Sequence, residues 1–304
     1  MSNVSITFPI FGENFIICPK TYIEVFGFKI HWYAIIILTG LILAALYIMS
    51  RRKDFGLTDD NIIDLLLWAI PIGVVGARLY YVVFNFSLYK DDLLGIFRVW
   101  EGGLAIYGGI IFGVLGIYIY HRRSKIPMGT LLDVAGLAVI IGQAVGRWGN
   151  FINREAFGGE TALPWRMGLI YPDGTSVFVH PTFLYESLWN VLGFILLHII
   201  SKKFRKYDGQ IFLSYAAWYG LGRFFIEGMR TDSLYLFGTG IRVSQLIGIL
   251  AFIICFAVLL YNKLKKSFNV ESLYVNRLKM QTEADVPEEE AEKNSSKAKE
   301  NNFE

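Results

Sequence analysis

Tyr33-Ala34-Ile35-Ile36-Ile37-Leu38-Thr39-Gly40-Leu41-Ile42-Leu43-Ala44-Ala45-Leu46-Tyr47-Ile48-Met49-Ser50 contains no charged residue and stops at Arg51-Arg52-Lys53. At 1.5 Å per residue such a run gives about 27 Å of helix, close to the roughly 30 Å of hydrocarbon in a bilayer. Comparable runs follow at Ile62–Phe84, Leu104–Tyr120, Leu131–Arg147, Pro181–Ile200, Ile211–Ile226 and Ile241–Tyr261. A helix satisfies its own backbone polar groups in lipid, so these runs predict an all-α polytopic membrane protein of about seven transmembrane helices. Composition agrees. A soluble domain carries about 25% charged residues. Here 18% of the 304 residues are charged, 54% are hydrophobic and 16% aromatic, and the mean hydropathy is +0.44.

Basic clusters set the orientation. Arg51-Arg52-Lys53, then Arg122-Arg123 with Lys125, Lys202-Lys203 with Arg205-Lys206, and Lys263 with Lys265-Lys266 follow the first, third, fifth and seventh runs. The intervening segments carry balanced charge, as in Lys90 with Asp91 and Asp92, or Arg154 with Glu155. By the positive-inside rule the N-terminus is outside and the C-terminus is cytoplasmic. The chain then divides into an extracytoplasmic N-terminal segment (1–32), a seven-helix transmembrane domain (33–261) with an outer loop region (148–179), and a charged cytoplasmic tail (262–304). From about Phe268 the tail lacks apolar periodicity and carries Glu288-Glu289-Glu290, so it reads as disordered. Met1 to Lys20 has no basic stretch followed by an apolar core and does not read as a cleaved signal peptide. A net charge of +3, dispersed in short clusters, argues against a nucleic-acid partner. Cys18 and Cys255 allow no disulfide framework and no CxxC metal site, and nothing else in the sequence calls for a metal or cofactor.

Charges inside the runs each cost about 2.5–3.5 kcal/mol at a helix centre on insertion scales, so they need a reason. Asp64 and Asp133 lie near inner ends, where pairing with the basic loops explains them. Arg78, Arg147, Glu186, Arg223 and Glu227 lie toward outer ends. Tyr219, Arg223 and Glu227 repeat at i, i+4 and i+8, placing them on one helical face with Arg230 at its end. One Arg–Glu pair neutralising itself in lipid would explain that stripe alone. A second basic site at Arg147, with few carboxylates nearby in sequence, points instead to a phosphate, which arginine binds through two parallel N–H groups.

Two polar strings stand out. Gly146-Arg147-Trp148-Gly149-Asn150-Phe151-Ile152-Asn153-Arg154-Glu155-Ala156-Phe157-Gly158 mixes glycines, which let a ligand approach the backbone, with Asn150 and Asn153, whose amides lipid would leave unpaired. His180-Pro181-Thr182-Phe183-Leu184-Tyr185-Glu186 reads either as a well-capped helix start or as part of the same site. The long stretch between them, Trp148 to Val179, holds Pro164, Pro172, Asp173 and Gly174, which suggest turns and a small hairpin.

The string Gly-Arg-x-Gly-Asn-Phe-Ile-Asn-x-Glu-x-x-Gly from Gly146 to Gly158 resembles the signature of the bacterial phosphatidylglycerol–prolipoprotein diacylglyceryl transferases. His31-Trp32-Tyr33, His180 to Glu186, and Gly222-Arg223-Phe224 through Glu227 and Arg230 agree with it, in matching order from about Phe28 to Tyr261. The resemblance implies an enzyme of the bacterial cytoplasmic membrane with its site toward the extracytoplasmic leaflet. Its partners would be phosphatidylglycerol, the lipobox of a preprolipoprotein signal peptide, and the bilayer. The lipobox thiol would attack the glyceryl carbon of phosphatidylglycerol, forming a thioether and releasing glycerol 1-phosphate. The catalytic candidates are Arg147, Arg223 and Tyr107. The lipid-binding candidates are Arg147, Asn150, Asn153, Glu155, Gly158, Tyr33, Arg78, His180, Glu186, Tyr219, Glu227 and Arg230. One departure concerns Tyr107, which stands in Gly102-Gly103-Leu104-Ala105-Ile106-Tyr107-Gly108-Gly109 where many members carry a histidine. A transporter would need a polar path through both halves of the membrane, and a non-catalytic lipid-binding protein is the other alternative.

Overall fold

A computed structural model describes residues 4–12, 15–236, 238–265 and 268–283 of the chain. In chain order its elements are β1 (Ser5–Thr7), β2 (Ile16–Ile17), β3 (Tyr22–Val25), β4 (Phe28–His31), α1 (Trp32–Arg51), α2 (Asp59–Phe84), α3 (Ile106–Ser124), α4 (Met128–Asn153), β5 (Met167–Ile170), β6 (Ser176–Val179), α5 (Thr182–Lys203), α6 (Gln210–Glu227) and α7 (Val243–Lys265). Each apolar run became one of the seven long helices. Five of these, α1, α2, α4, α5 and α7, are long and apolar enough to cross a membrane, so the protein is a polytopic membrane protein. The other two are more dilute in apolar residues: α3 ends in His121-Arg122-Arg123, and α6 carries Gln210, Ser214, Arg223 and Glu227.

The all-α expectation needs correcting, because among the described residues six short strands lie outside the helices. They form a four-stranded antiparallel sheet in the order β2-β1-β5-β6 and a separate β3–β4 hairpin. The hairpin expected between Trp148 and Val179 is β5–β6, closed by a turn with Gly174 at φ +85°. A second correction concerns α4, which runs on to Asn153 and carries the glycine-rich string as its last turns. Gly149 permits this by packing on Tyr33, since a Cβ there would lie 2.6 Å from the phenol ring.

The chain separates into two compact units. One comprises the described residues of Met1–Ile48, Val134–Arg205 and Gln210–Ser267. Its sheet packs Val4, Ile6, Met167, Leu169 and Val179 on Phe183 at the start of α5. Arg154 binds this sheet to the end of α4. Sequence pairs it with Glu155, yet the chain turns at positive φ (51°) and sends Arg154 inward. There it is 1% exposed and donates to the carbonyls of Val4 (2.9 Å), Ile152 (2.8 Å) and Pro19 (2.6 Å). Hydrogen bonds to a charged donor contribute about 1.5–3 kcal/mol each, and a buried acceptor left unpaired adds its own penalty. Arg154→Ala should therefore lower stability by several kcal/mol and release the N-terminal strands, measured as faster hydrogen exchange over residues 4–19. Unchanged exchange there would show that the guanidinium is dispensable.

The other unit comprises the described residues of Met49–Asp133, Lys206–Gly209 and Phe268–Glu304. Here α2 and α3 approach backbone to backbone: a Cβ on Gly108 would lie 2.4 Å from the Gly76 carbonyl oxygen, whereas Gly113 faces open space. Asp133 is buried and accepts from the backbone N–H of Gly209 at 3.0 Å. Disorder from Phe268 onward is corrected for the part described. Phe268 stacks on Tyr207, Leu273 is buried, and residues 274–283 are helical, with the Tyr274 N–H bound to Asp208 at 2.9 Å. The apolar residues that anchor this helix are too few to show as periodicity. The acidic run at 288–290 lies outside the described residues.

Candidate active site

Glu186 is the centre of the polar cluster in the first unit. It stands one turn into α5, and its side chain is 5% exposed. Its Oε2 meets Arg147 of α4 at 2.7 Å. Its Oε1 meets Arg223 of α6 at 3.1 Å and Arg230, just beyond α6, at 3.7 Å. Arg223 also pairs with Glu227 one turn along α6. Two helices, α4 and α6, and the segment after α6 thus deliver three guanidiniums to one carboxylate on α5. The carboxylates expected to be too few for the arginines are matched more closely than sequence suggests, and Arg147 does hold one: Glu186 is remote in sequence but adjacent in space. Arg147, Arg223 and Arg230 outnumber the two buried carboxylates, Glu186 and Glu227, and the balance is completed by Asp232 at the exposed side. Asp232, half exposed, takes two parallel bonds from Arg230 at 2.9 and 2.8 Å.

Those bonds hold the Asp232 carboxyl below its ordinary range, against the opposing effect of burial. Its contribution is therefore complete above the usual aspartate pKa of about 3.9 and lost only as pH falls below it, so Asp232 stays charged wherever thiol chemistry runs. Burial works against the charge on Arg230, but Asp232, Glu186 and Glu227 outweigh it and raise its pKa.

A second chain leads outward from Arg147. Its Nη1 donates to Asn150 Oδ1 at 3.3 Å, and the amides of Asn150 and Asn153 both donate to Glu155 Oε1, at 2.9 and 3.2 Å. Glu155 is exposed and sits between two residues in the left-handed region, Arg154 and Ala156. Strain of that kind is found where a side chain is held for a task. Among the described residues Arg147 engages two of its N–H groups and a guanidinium has five, so donors remain for an anion.

Gly158 closes the rim. Its N–H donates to the His180 carbonyl at 3.0 Å, and a Cβ there would lie 2.7 Å from His180 Cβ and 3.0 Å from the Met229 carbonyl. No side chain fits. The His180 ring meets the Tyr185 hydroxyl at 3.3 Å, which accepts from Trp165 at 2.9 Å. Tyr219 lies one turn before Arg223 and stacks with Tyr215 at 5.9 Å. Tyr33 packs on Gly149.

Matched against known families, residues 20–261 fit the prolipoprotein diacylglyceryl transferase profile. The chain belongs to this family. Among its relatives, the phosphatidylglycerol–prolipoprotein diacylglyceryl transferase of Listeria welshimeri is 45% identical over 251 residues, covering 80% of this chain and 89% of that protein. The enzyme of the same description from Enterococcus faecalis is 45% identical over 249 residues (79% and 89%). That from Ligilactobacillus salivarius is 47% identical over 248 residues (78% and 90%). Every candidate residue from Tyr33 to Arg230 falls inside the matched region.

Two candidates of this transferase belong to the other compact unit. Tyr107 is the second residue of α3 and Arg78 lies in α2. Arg78, expected as a phosphate ligand, is engaged by backbone instead. It is buried, and its N–H groups bind the carbonyls of Gly95 (2.6 Å), Ile96 (2.8 Å), Arg98 (3.3 Å), Gly102 (2.6 Å) and Gly103 (3.1 Å). It is the spine of the loop between α2 and α3. Sequence reading missed Asp232, and Arg242, which donates to the Glu227 carbonyl. Nothing in their local sequence marks either one.

Proposed function

We infer that the protein transfers the diacylglyceryl group of phosphatidylglycerol to the cysteine thiol of a prolipoprotein. Family membership carries this reading, and the charge of the Arg147–Glu186–Arg223 cluster gives it a mechanism. The sulfur attacks the glyceryl carbon as the carbon–oxygen bond to phosphate breaks, leaving a thioether and glycerol 1-phosphate. Ionising a thiol of pKa about 8.5 at neutral pH costs roughly 2 kcal/mol. The leaving phosphate poses the larger demand. It passes from a monoanionic diester toward a dianionic monoester, and only interactions that strengthen along that path speed the step. Three convergent guanidiniums with unused N–H donors suit that growth of charge, and preorganised donors contribute about 3–4 kcal/mol each.

In this reading Arg147 and Arg223 hold the phosphate, Glu186 and Glu227 hold the arginines, and Asn150, Asn153 and Glu155 line the approach, with Gly158, His180, Tyr33, Tyr219 and Arg230 shaping the rest. Tyr107 serves as a hydrogen-bonding group and not as a base. All seven helices cross the membrane, with the N-terminus outside, the C-terminus cytoplasmic and the site toward the outer leaflet, as the basic clusters direct. One experiment addresses reaction and side together: sealed right-side-out vesicles containing phosphatidylglycerol and the protein, given a lipobox peptide from outside. Peptide thioether and external glycerol 1-phosphate are expected. No product from folded protein would remove the activity, and product only after the vesicles are opened would reverse the orientation.

A further inference from the structure

Trp189 of α5 and Trp218 of α6 stack at 4.2 Å with ring planes 15° apart. Each indole Nε1–H donates to the other residue's backbone carbonyl, Trp189 to Trp218 at 3.1 Å and Trp218 to Trp189 at 3.0 Å. Each tryptophan is followed four residues later by a glycine, Trp189 by Gly193 and Trp218 by Gly222. The glycines are the seats. A Cβ on Gly222 would lie 2.2 Å from Trp189 Nε1, and one on Gly193 would lie 2.2 Å from Trp218 Nε1. The arrangement is reciprocal: the same tryptophan, carbonyl and glycine occur on both helices, each serving the other.

We propose that this clasp sets the register of α5 against α6, making Trp189 and Trp218 positioning residues for Glu186 and Arg223. Glu186 lies one turn from Trp189 on α5, and Arg223 directly follows Gly222 on α6. Two helices meeting in lipid have no hydrophobic drive to choose one register, because lipid is as apolar as their side chains, so close packing and hydrogen bonds must choose it. The ion pairs choose poorly, since long arginine side chains can follow a slide. The indoles cannot: one residue of slip moves α5 by about 1.5 Å along α6, breaks both N–H bonds and pushes each ring off its glycine.

The inference rests on the reading of Arg223 as a phosphate ligand held by Glu186, and its test separates the two. Full-length protein in nanodiscs of varied phosphatidylglycerol content, with a lipobox peptide, gives kcat and KM for Trp189→Phe, Trp218→Phe, the double variant, Gly222→Ala and Arg223→Lys. A misplacement of 1 Å can cost on the order of 10²-fold, so each Trp→Phe should lower kcat about tenfold or more with KM for the lipid little changed. The double variant should be no slower than the worse single, because both bonds fix one register. Gly222→Ala should reproduce the kcat loss with both indoles present, and it decides the matter should either phenylalanine variant not fold. Singles with wild-type kcat, losses that multiply in the double, or a normal Gly222→Ala would overturn the clasp. A fully active Arg223→Lys would instead overturn the phosphate-site reading, whatever the tryptophans do.

Discussion

Replacing Arg223 by alanine should lower kcat about 10³-fold, the upper range for losing one preorganised donor to a developing oxyanion. The loss arises twice. One guanidinium disappears from the phosphate, and Glu227, whose side chain is 3% exposed and pairs with Arg223, is left to repel the leaving group. Arg223→Lys separates these effects. It keeps the charge that balances Glu186 and Glu227 but loses the planar pair of N–H groups, so its kcat should stay well below wild type, by about 10²-fold. Arg147→Lys should fall in the same way, because Arg147 faces Glu186 from the other side at 2.7 Å. Tyr107→Phe is the contrasting variant. It should lose no more than about tenfold, the worth of one hydrogen bond. Rates read from glycerol 1-phosphate release would decide, and an Arg223→Lys enzyme near full activity would show that Arg223 supplies only charge balance.

The helices were legible because lipid leaves a chain few options, so Tyr33–Ser50 and Ile241–Tyr261 declare themselves by apolarity alone. The last turns of α4 were not, because Gly149 and Asn150 look like loop residues until Tyr33 is seen to need the space above Gly149. The sheet was half legible: β5–β6 announces itself by its turn, while β1 pairs with β5 across most of the chain. At the site, Arg223 with Glu227 follows from the periodicity of one helix. The role of Glu186 does not, since its partners come from α4, α6 and the segment after α6. Counting acids near Arg147 in sequence therefore misjudged its surroundings. The partners of Arg78 were hidden for the opposite reason: they are backbone carbonyls, which no side-chain pattern reveals. The doubled Trp-x-x-x-Gly spacing was present in the sequence as a signal, but its meaning depends on α5 and α6 being neighbours.

Glu186→Gln should lower kcat about 10²-fold and at the same time make the fold depend on the substrate lipid. The glutamine keeps the shape but removes the charge shared by Arg147, Arg223 and Arg230, so the cluster gains one unit of uncompensated positive charge. A buried charge left without its partner costs about 3–5 kcal/mol. The melting temperature in phosphatidylcholine nanodiscs should drop accordingly. Phosphatidylglycerol carries one negative charge on its phosphate and can stand in for the lost carboxylate, and a ligand at a hundred times its Kd returns about 2.7 kcal/mol. Stabilisation by phosphatidylglycerol over phosphatidylcholine should thus be larger in Glu186→Gln than in the wild type. Activity should not return with it. Arginines drawn onto the ground-state diester stabilise substrate and transition state alike, which leaves kcat low, by about 10²-fold, and KM no higher than normal. A variant that melts alike in both lipids and turns over normally would mean that Glu186 neither organises the arginines nor shares their anion.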